Sequence, residues 1–576
     1  MNNLGKSTFS PEISPSYLNY LLINQNNPVL ENAITLLHSK MQTGNSCLNI
    51  SELAEELRLP TKSILEEVRK STLVADISFD IKLAEIPNIP LLVVKTGTNY
   101  LLYMNRYFYY EKKIADNLNH LQVCPEYSLE QLKEIESITE ILSTKSIITK
   151  LPNIEQLNSI NESLRRKFSI ITGGPGTGKT TSVIFLLWAF QQIYSEDIKI
   201  NICAPTGKAA KRVRESLLGN IKRIEDSLGL EVHGLIKLIE NQSSFGTIHK
   251  MLGYLHNSIH FKHNGNNKLD ADILIIDESS MIGLPLFYKL LEAINPGKVK
   301  HVIFLGDPNQ LSSVEEGFVF SSLVNYTSNN KYLSRLKISN RNQGDIGRLA
   351  TAVLNLELDN VKNILTGSDV IRLYQPLSNL VVDAAVADSS NLIQLVDLSI
   401  NAEPGVFGEL FSILSMSSIL CMTNIGDLGT NSLNQRIEAR IKQRYKFEGN
   451  WFPGRIIIIL ENDSTSKLFN GDIGICIIHN NRSRIVFDDG RSFIPEVLPK
   501  YELAYAITIH KSQGSEYSSV SIVIPPVENK ILNKELVYTA ITRAKVAINI
   551  YSRPETIVQA IQTDSSRISG LKEIIK

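Results

Sequence analysis

A glycine-rich run between an apolar segment and a helical pattern limits this chain to a small set of folds. Residues 173–180 are Gly-Gly-Pro-Gly-Thr-Gly-Lys-Thr, and they follow the apolar run Phe168–Thr172. Apolar residues then recur at helical spacing from Val183 to Phe190. Such a strand, loop and helix form a P-loop, in which backbone N–H groups and the helix N-terminus surround phosphate oxygens. The run therefore predicts a nucleotide-binding domain built on a parallel sheet.

The P-loop residues are expected to hold a nucleotide in distinct ways. Lys179 places a positive charge on the outer phosphates, and Thr180 offers its hydroxyl to Mg²⁺. The cofactors that we expect are therefore ATP and Mg²⁺. The residues expected to surround ATP here are Gly173, Gly174, Pro175, Gly176, Thr177, Gly178, Lys179, Thr180 and Thr181.

Two further apolar runs lead into polar side chains. The run Ile273–Ile276 ends at Asp277, which we expect to hold Mg²⁺, and Glu278, which we expect to polarise the attacking water as a general base. A later apolar run is followed by Gln310, whose amide suits sensing of the γ-phosphate. An ordinary surface amide stays open as the alternative for Gln310. Adjacent acids after a P-loop favour a hydrolase over a protein that only binds nucleotide.

Two arginines in the second half of the chain, Arg341 and Arg543, are predicted to be catalytic. A cation that reaches the γ-phosphate from a second domain stabilises the transition state and accelerates hydrolysis by ~10³–10⁵. It also makes hydrolysis depend on closure of the two domains. A surface position is the alternative for either arginine.

The apolar pattern divides the chain into three parts with one insertion. Residues 1–145 show helical spacing without a catalytic motif, whereas short apolar runs alternate with helical stretches over 146–335 and again over 336–576. Between about 452 and 502 the pattern is rich in short strands. We expect an α/β chain with two RecA-like P-loop NTPase domains, a small helical N-terminal domain, and a small β-barrel inserted in the second α/β domain.

Charge balance and cysteine content exclude several classes of protein. The 576 residues carry 59 basic and 59 acidic side chains, whereas a protein that coats nucleic acid is usually strongly basic. The five cysteines are scattered and form no C-x-x-C pair, so neither a zinc or iron–sulfur site nor a disulfide framework is expected. The sequence has no signal pattern and no apolar stretch of roughly 18 residues. We therefore expect a cytoplasmic protein.

The order of these motifs resembles that of the RecD family, the superfamily 1 helicase subunits of exodeoxyribonuclease V. The resemblance runs from about Gln156 to Lys545. Besides the runs above it rests on 204–210 (Ala-Pro-Thr-Gly-Lys-Ala-Ala), 247–249 (Thr-Ile-His), 306–314 (Gly-Asp-Pro-Asn-Gln-Leu-Ser-Ser-Val), 468–474 (Leu-Phe-Asn-Gly-Asp-Ile-Gly), 508–516 (Thr-Ile-His-Lys-Ser-Gln-Gly-Ser-Glu) and 538–545 (Tyr-Thr-Ala-Ile-Thr-Arg-Ala-Lys). Residues 310–314 and 538–545 are similar to the RecD branch rather than the UvrD-like branch. The resemblance implies an ATP-dependent helicase that moves 5′ to 3′ on single-stranded DNA and acts at duplex ends.

The resemblance also implies roles for polar side chains outside the P-loop. Gln156 would read adenine, while Gly514 and Glu516, with Gln513, would couple DNA to the nucleotide. The residues implied to line a DNA groove are Thr206, Lys208, Thr247, His249, Thr508, His510 and Ser512. Such small polar groups suit phosphates and sugars rather than base edges. For Thr247 and His249, a helix cap and a packed histidine remain the alternatives.

Members of this family work in a complex, so the resemblance implies partner subunits. The sequence has no nuclease pattern of the RecB type and only a short stretch after Lys545. Nuclease activity is therefore expected from RecB-like and RecC-like subunits, in double-strand break repair and recombination. We expect residues 1–145 to dock on a RecC-like subunit through apolar helix faces and an aromatic stretch: Ile50, Leu53, Leu57, Leu65, Tyr100, Tyr103, Tyr107, Phe108, Tyr109 and Tyr110. The alternatives are a core role for the aromatics, a stand-alone RecD-like helicase, and a DNA-dependent regulatory ATPase that does not unwind.

Overall fold

The structure, a computed structural model, describes residues 27–575 with short gaps. The gaps are 123–124, 195–197, 231–232, 241–244, 256–257, 259, 327–331, 339–343, 401, 403, 464, 480–481, 527–531 and 564–566. Arg341 falls in one of them, so its predicted role lies outside the described residues. The described strands form four sheets, of which one lies before the P-loop, two form the α/β domains and one forms the insertion.

The N-terminal region contains a sheet as well as helices, so the prediction of a small helical domain is wrong. Its four strands pair in the order β1-β4-β3-β2. The runs Leu91–Val94 and Leu101–Met104 are buried throughout, and a short continuous apolar run does not distinguish a strand from a helix by its period. The elements are α1 (Pro28–Gln42), β1 (Cys47–Asn49), α2 (Ile50–Leu57), α3 (Thr61–Arg69), β2 (Val74–Ile77), β3 (Leu91–Thr96), β4 (Asn99–Met104) and α4 (Asn105–Leu121).

The first α/β domain is a six-stranded parallel sheet in the order β10-β5-β9-β8-β6-β7. Its strands are β5 (Phe168–Gly173), β6 (Ile200–Ala204), β7 (Phe245–Thr247), β8 (Ile273–Ile276), β9 (His301–Gly306) and β10 (Leu333–Leu336). Its helices are α5 (Leu129–Thr149), α6 (Ile154–Leu164), α7 (Lys179–Ile193), α8 (Gly207–Leu228), α9 (His233–Glu240), α10 (Ile248–Leu252), α11 (Leu284–Ala293) and α12 (Val319–Tyr326). Because β5, β9 and β8 are parallel neighbours, their carboxyl ends bring the P-loop, Asp307 and Asp277 to one edge.

The second α/β domain is a five-stranded parallel sheet in the order β11-β20-β19-β12-β18. The strands after residue 336 are β11 (Ile371–Tyr374), β12 (Ser417–Cys421), β13 (Ile456–Ile459), β14 (Ile473–His479), β15 (Arg482–Phe487), β16 (Ser492–Phe493), β17 (Tyr501–Leu503), β18 (Ala506–Thr508), β19 (Tyr517–Val523) and β20 (Ala544–Tyr551). The helices are α13 (Asp345–Leu354), α14 (Leu358–Gly367), α15 (Ser378–Ala385), α16 (Asn391–Ser399), α17 (Phe407–Leu414), α18 (Thr430–Tyr445), α19 (Lys534–Ile541), α20 (Pro554–Gln562) and α21 (Leu571–Ile574). Two parallel sheets with helices confirm the expected pair of α/β domains.

The insertion is β-rich, as the sequence predicts, but its described strands do not close into a barrel. Strands β13 to β17 form an antiparallel sheet in the order β16-β15-β14-β13-β17, which leaves β16 and β17 at its ends. Alternation along β13 explains how it is buried on both faces. Ile457 and Ile459 pack in a core of the insertion's own, whereas Ile456 and Ile458 pack against the core of the second α/β domain.

The N-terminal region and the first α/β domain share one hydrophobic core. Leu102 and Phe108 belong to the same cluster of buried residues as Phe287 and Phe304. Residues 567–575 return to this core as well, since Leu571 and Ile575 are buried in it. The two α/β domains, by contrast, have separate main cores. No helix within the described ranges is long and apolar enough to cross a membrane.

The aromatic stretch on which we based partner docking is mostly internal. Tyr103, Tyr107 and Phe108 are at most 2% exposed. Tyr110 stacks on Tyr288 of the first α/β domain with ring centroids 4.6 Å apart. The apolar helix residues are largely internal too, and those that are buried are Ile50, Leu53 and Leu65. The alternative of a core role is therefore confirmed for most of these residues.

Candidate nucleotide and DNA site

A cavity of about 550 Å³ lies at the carboxyl edge of the first parallel sheet and is closed by the second α/β domain. Its size falls in the usual range for ligand sites. The predicted residues that line it are Gln156, Gly174, Pro175, Gly176, Gly178, Lys179, Thr180, Thr181, Asp277, Glu278, Gln310, Gly514, Glu516 and Arg543. Residues from both halves of the sequence therefore meet around one cavity.

The P-loop has the backbone geometry that its glycines permit. Gly176 and Gly178 have φ of +76° and +86°, which side chains rarely allow. A Cβ atom at Gly178 would lie 1.9 Å from Nε2 of Gln156. The loop is held from within, because the Thr177 hydroxyl donates to the Gly174 carbonyl at 2.8 Å. Lys179, the first residue of α7, reaches the same carbonyl at 3.2 Å, so its ammonium lies over the loop where phosphates would bind.

The two acids after β8 form an adjacent, half-buried pair. Glu278 has φ of +51°, a left-handed conformation, and its backbone N–H donates to Oδ1 of Asp277 at 2.7 Å. Burial raises the pKa of Asp277, the charge of Glu278 adds to the rise, and Lys179 opposes it. A cation beside a carboxyl group whose pKa is raised stabilises the ionised form of that group. Asp277 and the Thr180 hydroxyl supply the hard oxygen atoms that Mg²⁺ prefers, so these residues fit the ion.

A hydrogen-bond network joins the two α/β domains beside the acids. Arg543 is 3% exposed, and its Nη2 donates to Oε1 of Gln310 at 2.6 Å. Arg543 also donates to the carbonyls of Thr539 and Ser515, each at 3.1 Å, which fixes the guanidinium. Gln310 in turn donates to Asp307 at 3.2 Å. Gln310 is therefore not a surface amide, and Arg543 is not a surface arginine.

Three further bonds cross between the domains at the same place. The Tyr538 hydroxyl donates to Asp307 at 3.0 Å. The Leu311 N–H donates to Oγ1 of Thr539 at 2.9 Å, and the Gln513 amide donates to the Leu311 carbonyl at 2.8 Å. These bonds place the loop around Gln310 in direct contact with the second domain.

Gln156 lines the cavity, but its amide has several partners already. Its Oε1 accepts the Asn153 N–H at 2.9 Å in the cap of α6. Its Nε2 lies 3.3 Å from the Thr177 carbonyl and 3.4 Å from the Gly178 carbonyl, both of which accept. Gln156 thus ties α6 to the P-loop, and only part of its hydrogen-bonding capacity is left for a base.

The cavity also has lining residues that sequence reasoning missed. Lys150, Leu151 and Asn153 line it just before α6, and Arg212, Ser216, Asn220 and Ile224 line it from α8. The four residues on α8 are spaced by four, so they lie on one face of that helix. This spacing was visible in the sequence, but only the fold shows that this face turns to the P-loop.

Comparison with known proteins identifies the group to which the chain belongs. Residues 156–316 match the AAA domain family, and residues 503–551 match the UvrD-like helicase C-terminal domain family. The RecBCD enzyme subunit RecD of Haemophilus influenzae is 30% identical over 73% of this chain and 72% of its own length. The subunit of the same name from Mycolicibacterium smegmatis is 27% identical over 96% of this chain and 95% of its own length.

The chain belongs to the RecD family. It is therefore a superfamily 1 DNA helicase and an ATP-hydrolysing enzyme. The ATP-dependent RecD2 DNA helicase of Deinococcus radiodurans is also similar, at 27% identity over 68% of this chain and 48% of its own length.

In this RecD family member, two of the predicted DNA contacts in the first α/β domain are helix caps. Oγ1 of Thr206 accepts the Ala209 N–H at 3.2 Å at the start of α8. Oγ1 of Thr247 accepts the Lys250 N–H at 3.1 Å at the start of α10, which confirms the cap alternative for Thr247. A capping hydroxyl can still donate its own proton, so a cap does not exclude contact with a phosphate.

Lys208 and His249 differ in their surroundings. Lys208 faces the second half of the chain, because Tyr517 of β19 and the insertion acids Asp472 and Asp488 act on its charge. Burial lowers the pKa of Lys208. His249 is exposed, and its ring meets the edge of Phe261 at a centroid distance of 5.6 Å. His249 is thus accessible to DNA, whereas Lys208 is half-buried between domains.

The second domain's predicted DNA contacts are less accessible in this conformation. Thr508 is 7% exposed, and its Oγ1 accepts the Lys511 N–H at 3.3 Å. Ser512 is fully buried and donates to the Ile509 carbonyl at 2.7 Å. His510 is half-buried, and burial lowers its pKa. Of these three, His510 is the one with substantial exposure.

Proposed function

We infer that this helicase is the 5′-to-3′ translocating motor subunit of a RecBCD-type helicase–nuclease that acts in double-strand break repair and recombination. The observation that carries the motor mechanism is the bond from Arg543 of the second domain to Gln310 of the first. A cation delivered across the cleft makes hydrolysis depend on the relative position of the domains. DNA bound to both domains would change that position, and so would couple strand movement to ATP turnover.

The proposed chemistry assigns one task to each residue around the cavity. Lys179 holds the outer phosphates, and Thr180 and Asp277 hold Mg²⁺, which neutralises phosphate charge when bound. Glu278 accepts a proton from the attacking water. Gln310 and Arg543 face the γ-phosphate, where the arginine stabilises charge in the transition state. Gly514 and Glu516 form the wall that the second domain adds.

The polarity is tested with duplexes that carry a single-stranded tail. We expect the isolated chain to unwind a duplex with a 5′ tail and to leave one with only a 3′ tail intact. Lys179→Ala serves as the matched control, since it should unwind neither. Preference for the 3′ tail would overturn the assignment, whose support is the likeness of 310–314 and 538–545 to the RecD branch.

RecB-like and RecC-like subunits are the proposed partners, and nuclease activity is proposed to come only from them. The support is that the similar proteins from Haemophilus influenzae and Mycolicibacterium smegmatis are named RecBCD enzyme subunits. The similarity to the RecD2 helicase of Deinococcus radiodurans favours a second candidate, a helicase that works without such partners. Co-purification of the native protein separates the two. Recovery with RecB-like and RecC-like chains is expected, and recovery alone would favour the second candidate.

The docking surface is better tested by point substitutions than by deletion of residues 1–145. That deletion would open the core shared with the first α/β domain, so a loss of association would have no clear cause. Leu129 and Leu132 on α5 are 79% and 40% exposed and lie within the proposed docking region. We expect Leu129→Glu with Leu132→Glu to weaken binding to the RecC-like chain in a pull-down, while Glu130→Ala, at an exposed position on a different face of the same helix, does not. Unchanged binding of the double variant would exclude this face.

A further inference from the structure

One face of α8 forms part of the wall of the nucleotide cavity. Arg212, Ser216, Asn220 and Ile224 follow one another at intervals of four residues along this face. Arg212 lines the cavity together with Glu516 and Arg543 of the second domain, and both of their charges act on its guanidinium, so Arg212 lies at the phosphate end. Asn220 lies eight residues further along the helix, which is about 12 Å at the rise of an α-helix. The far end of the cavity is therefore at a distance suited to the nucleoside rather than the phosphates.

Asn220 presents a defined hydrogen-bond acceptor at this far end. Its Nδ2 donates to the Ser216 carbonyl at 2.7 Å and lies 3.4 Å from Oγ of Ser216. Because a carbonyl oxygen only accepts, this bond fixes which end of the amide is nitrogen. Oδ1 of Asn220 then remains as an acceptor, and its helix side chain is part of the cavity wall.

Apolar groups flank this acceptor. Ile224 is 4% exposed and lines the same end, and Leu151 lines the cavity from the segment before α6. Gln156, from the adjoining α6, has its Nε2 directed at two P-loop carbonyls. A purine that enters here meets apolar side chains and the Asn220 acceptor, so a base with a donor at this point is favoured.

We propose that Asn220 is a specificity-determining residue that accepts a hydrogen bond from the 6-amino group of the adenine base. Guanine carries a carbonyl oxygen at that position, which would oppose Oδ1 of Asn220 and leave both acceptors without a donor. Ile224 and Leu151 contact the base, and Ser216 orients the Asn220 amide. This assignment rests on the proposed function of the cavity as the site of ATP hydrolysis.

The test is the ratio of kcat/KM for ATP to that for GTP, measured with saturating single-stranded DNA. The wild type should prefer ATP. Asn220→Leu, which removes the acceptor at similar size, should lower this ratio about 3- to 10-fold, through a higher KM for ATP with little change in kcat. Ser216→Ala should lower it less, because the Ser216 carbonyl that holds Nδ2 remains. Lys222→Ala, on an exposed position of the same helix, is the matched control and should leave the ratio unchanged.

Retained turnover of GTP by Asn220→Leu shows that the variant is folded, so the ratio reports base recognition. An unchanged ratio in Asn220→Leu would overturn the proposal, and so would a wild type that hydrolyses GTP as efficiently as ATP. Failure of the proposed function gives a different result, since the wild type would then show no DNA-stimulated hydrolysis of either nucleotide.

Discussion

Individual residues around the cavity are expected to contribute to different steps, either the binding of ATP or its hydrolysis. Lys179 lies over the P-loop, while Glu278 follows Asp277, to whose Oδ1 its backbone N–H donates. We expect Lys179→Ala to abolish ATP turnover and strand separation while single-stranded DNA binding largely survives. Glu278→Gln should keep ATP binding and stop hydrolysis, because the amide does not accept the proton of water. Steady-state turnover and equilibrium nucleotide binding measure the two effects.

A matched control for these variants is Lys95→Ala, an exposed lysine on β3, outside the cavity. It should leave turnover unchanged. Near-normal turnover in Lys179→Ala or in Glu278→Gln would contradict the residue assignments.

At the scale of elements, strands β5, β8 and β9 of the first domain were predictable because a phosphate-binding or catalytic motif follows each of them. The motifs at 173–180, 277–278 and 310 each follow an apolar run, and parallel pairing brings them to one edge. The N-terminal strands carry no such marker. The apolar runs of β3 and β4 are short and buried on both faces, so no alternation separated them from helices. The sequence did not predict which face of α8 lines the cavity either. Residues at intervals of four form one face of any helix, so the spacing alone does not identify a cavity wall.

The first residue of β9 is a buried histidine, His301, and its burial predicts how the stability of the protein depends on pH. The ring of His301 is fully buried, with Nδ1 2.9 Å from the Arg166 carbonyl, to which it donates, and Nε2 3.0 Å from the Tyr194 hydroxyl, from which it accepts. Burial lowers the pKa of His301 to about 4, whereas an unfolded histidine has a pKa of about 6.5. Between these values the unfolded chain binds a proton that the folded chain does not. The free energy of unfolding should therefore fall as pH falls from about 6.5 towards 4.

His301→Gln keeps a donor and an acceptor without this titration, so its thermal unfolding midpoint should vary less between pH 7.5 and 5 than that of the wild type. His120→Gln, at an exposed histidine, is the control and should behave as the wild type. An identical pH dependence in His301→Gln would show that His301 is not responsible.

On the scale of the whole molecule, distant parts of the sequence are joined at one buried carboxylate. Glu111 is fully buried and accepts from the hydroxyls of Ser46 and Ser569 at 2.6 Å each and of Tyr103 at 2.9 Å. Nearby, Arg567 donates to the Ser313 carbonyl at 2.9 Å, in the loop that follows Gln310. The segment after the second α/β domain therefore ties that domain to the N-terminal region and to the first domain.

Glu111→Ala should lower the free energy of unfolding, by roughly 1–3 kcal/mol for each hydroxyl that is left buried without a partner. Glu111→Gln keeps one acceptor oxygen and should cost less. Thermal unfolding measures both variants, with Glu85→Ala at an exposed position as the control. A Glu111→Ala protein as stable as the wild type would contradict this role for the carboxylate.

The central claim is that ATP hydrolysis requires the second domain to deliver Arg543 to the site of the first. The most direct test is the rate of ATP turnover with and without a single-stranded oligonucleotide, in the wild type and in Arg543→Ala. We predict weak turnover without DNA, strong stimulation by DNA in the wild type, and loss of the stimulated rate by about 10³ in Arg543→Ala with ATP binding retained. A high rate in the wild type that does not depend on DNA, or stimulation that survives in Arg543→Ala, would contradict the account.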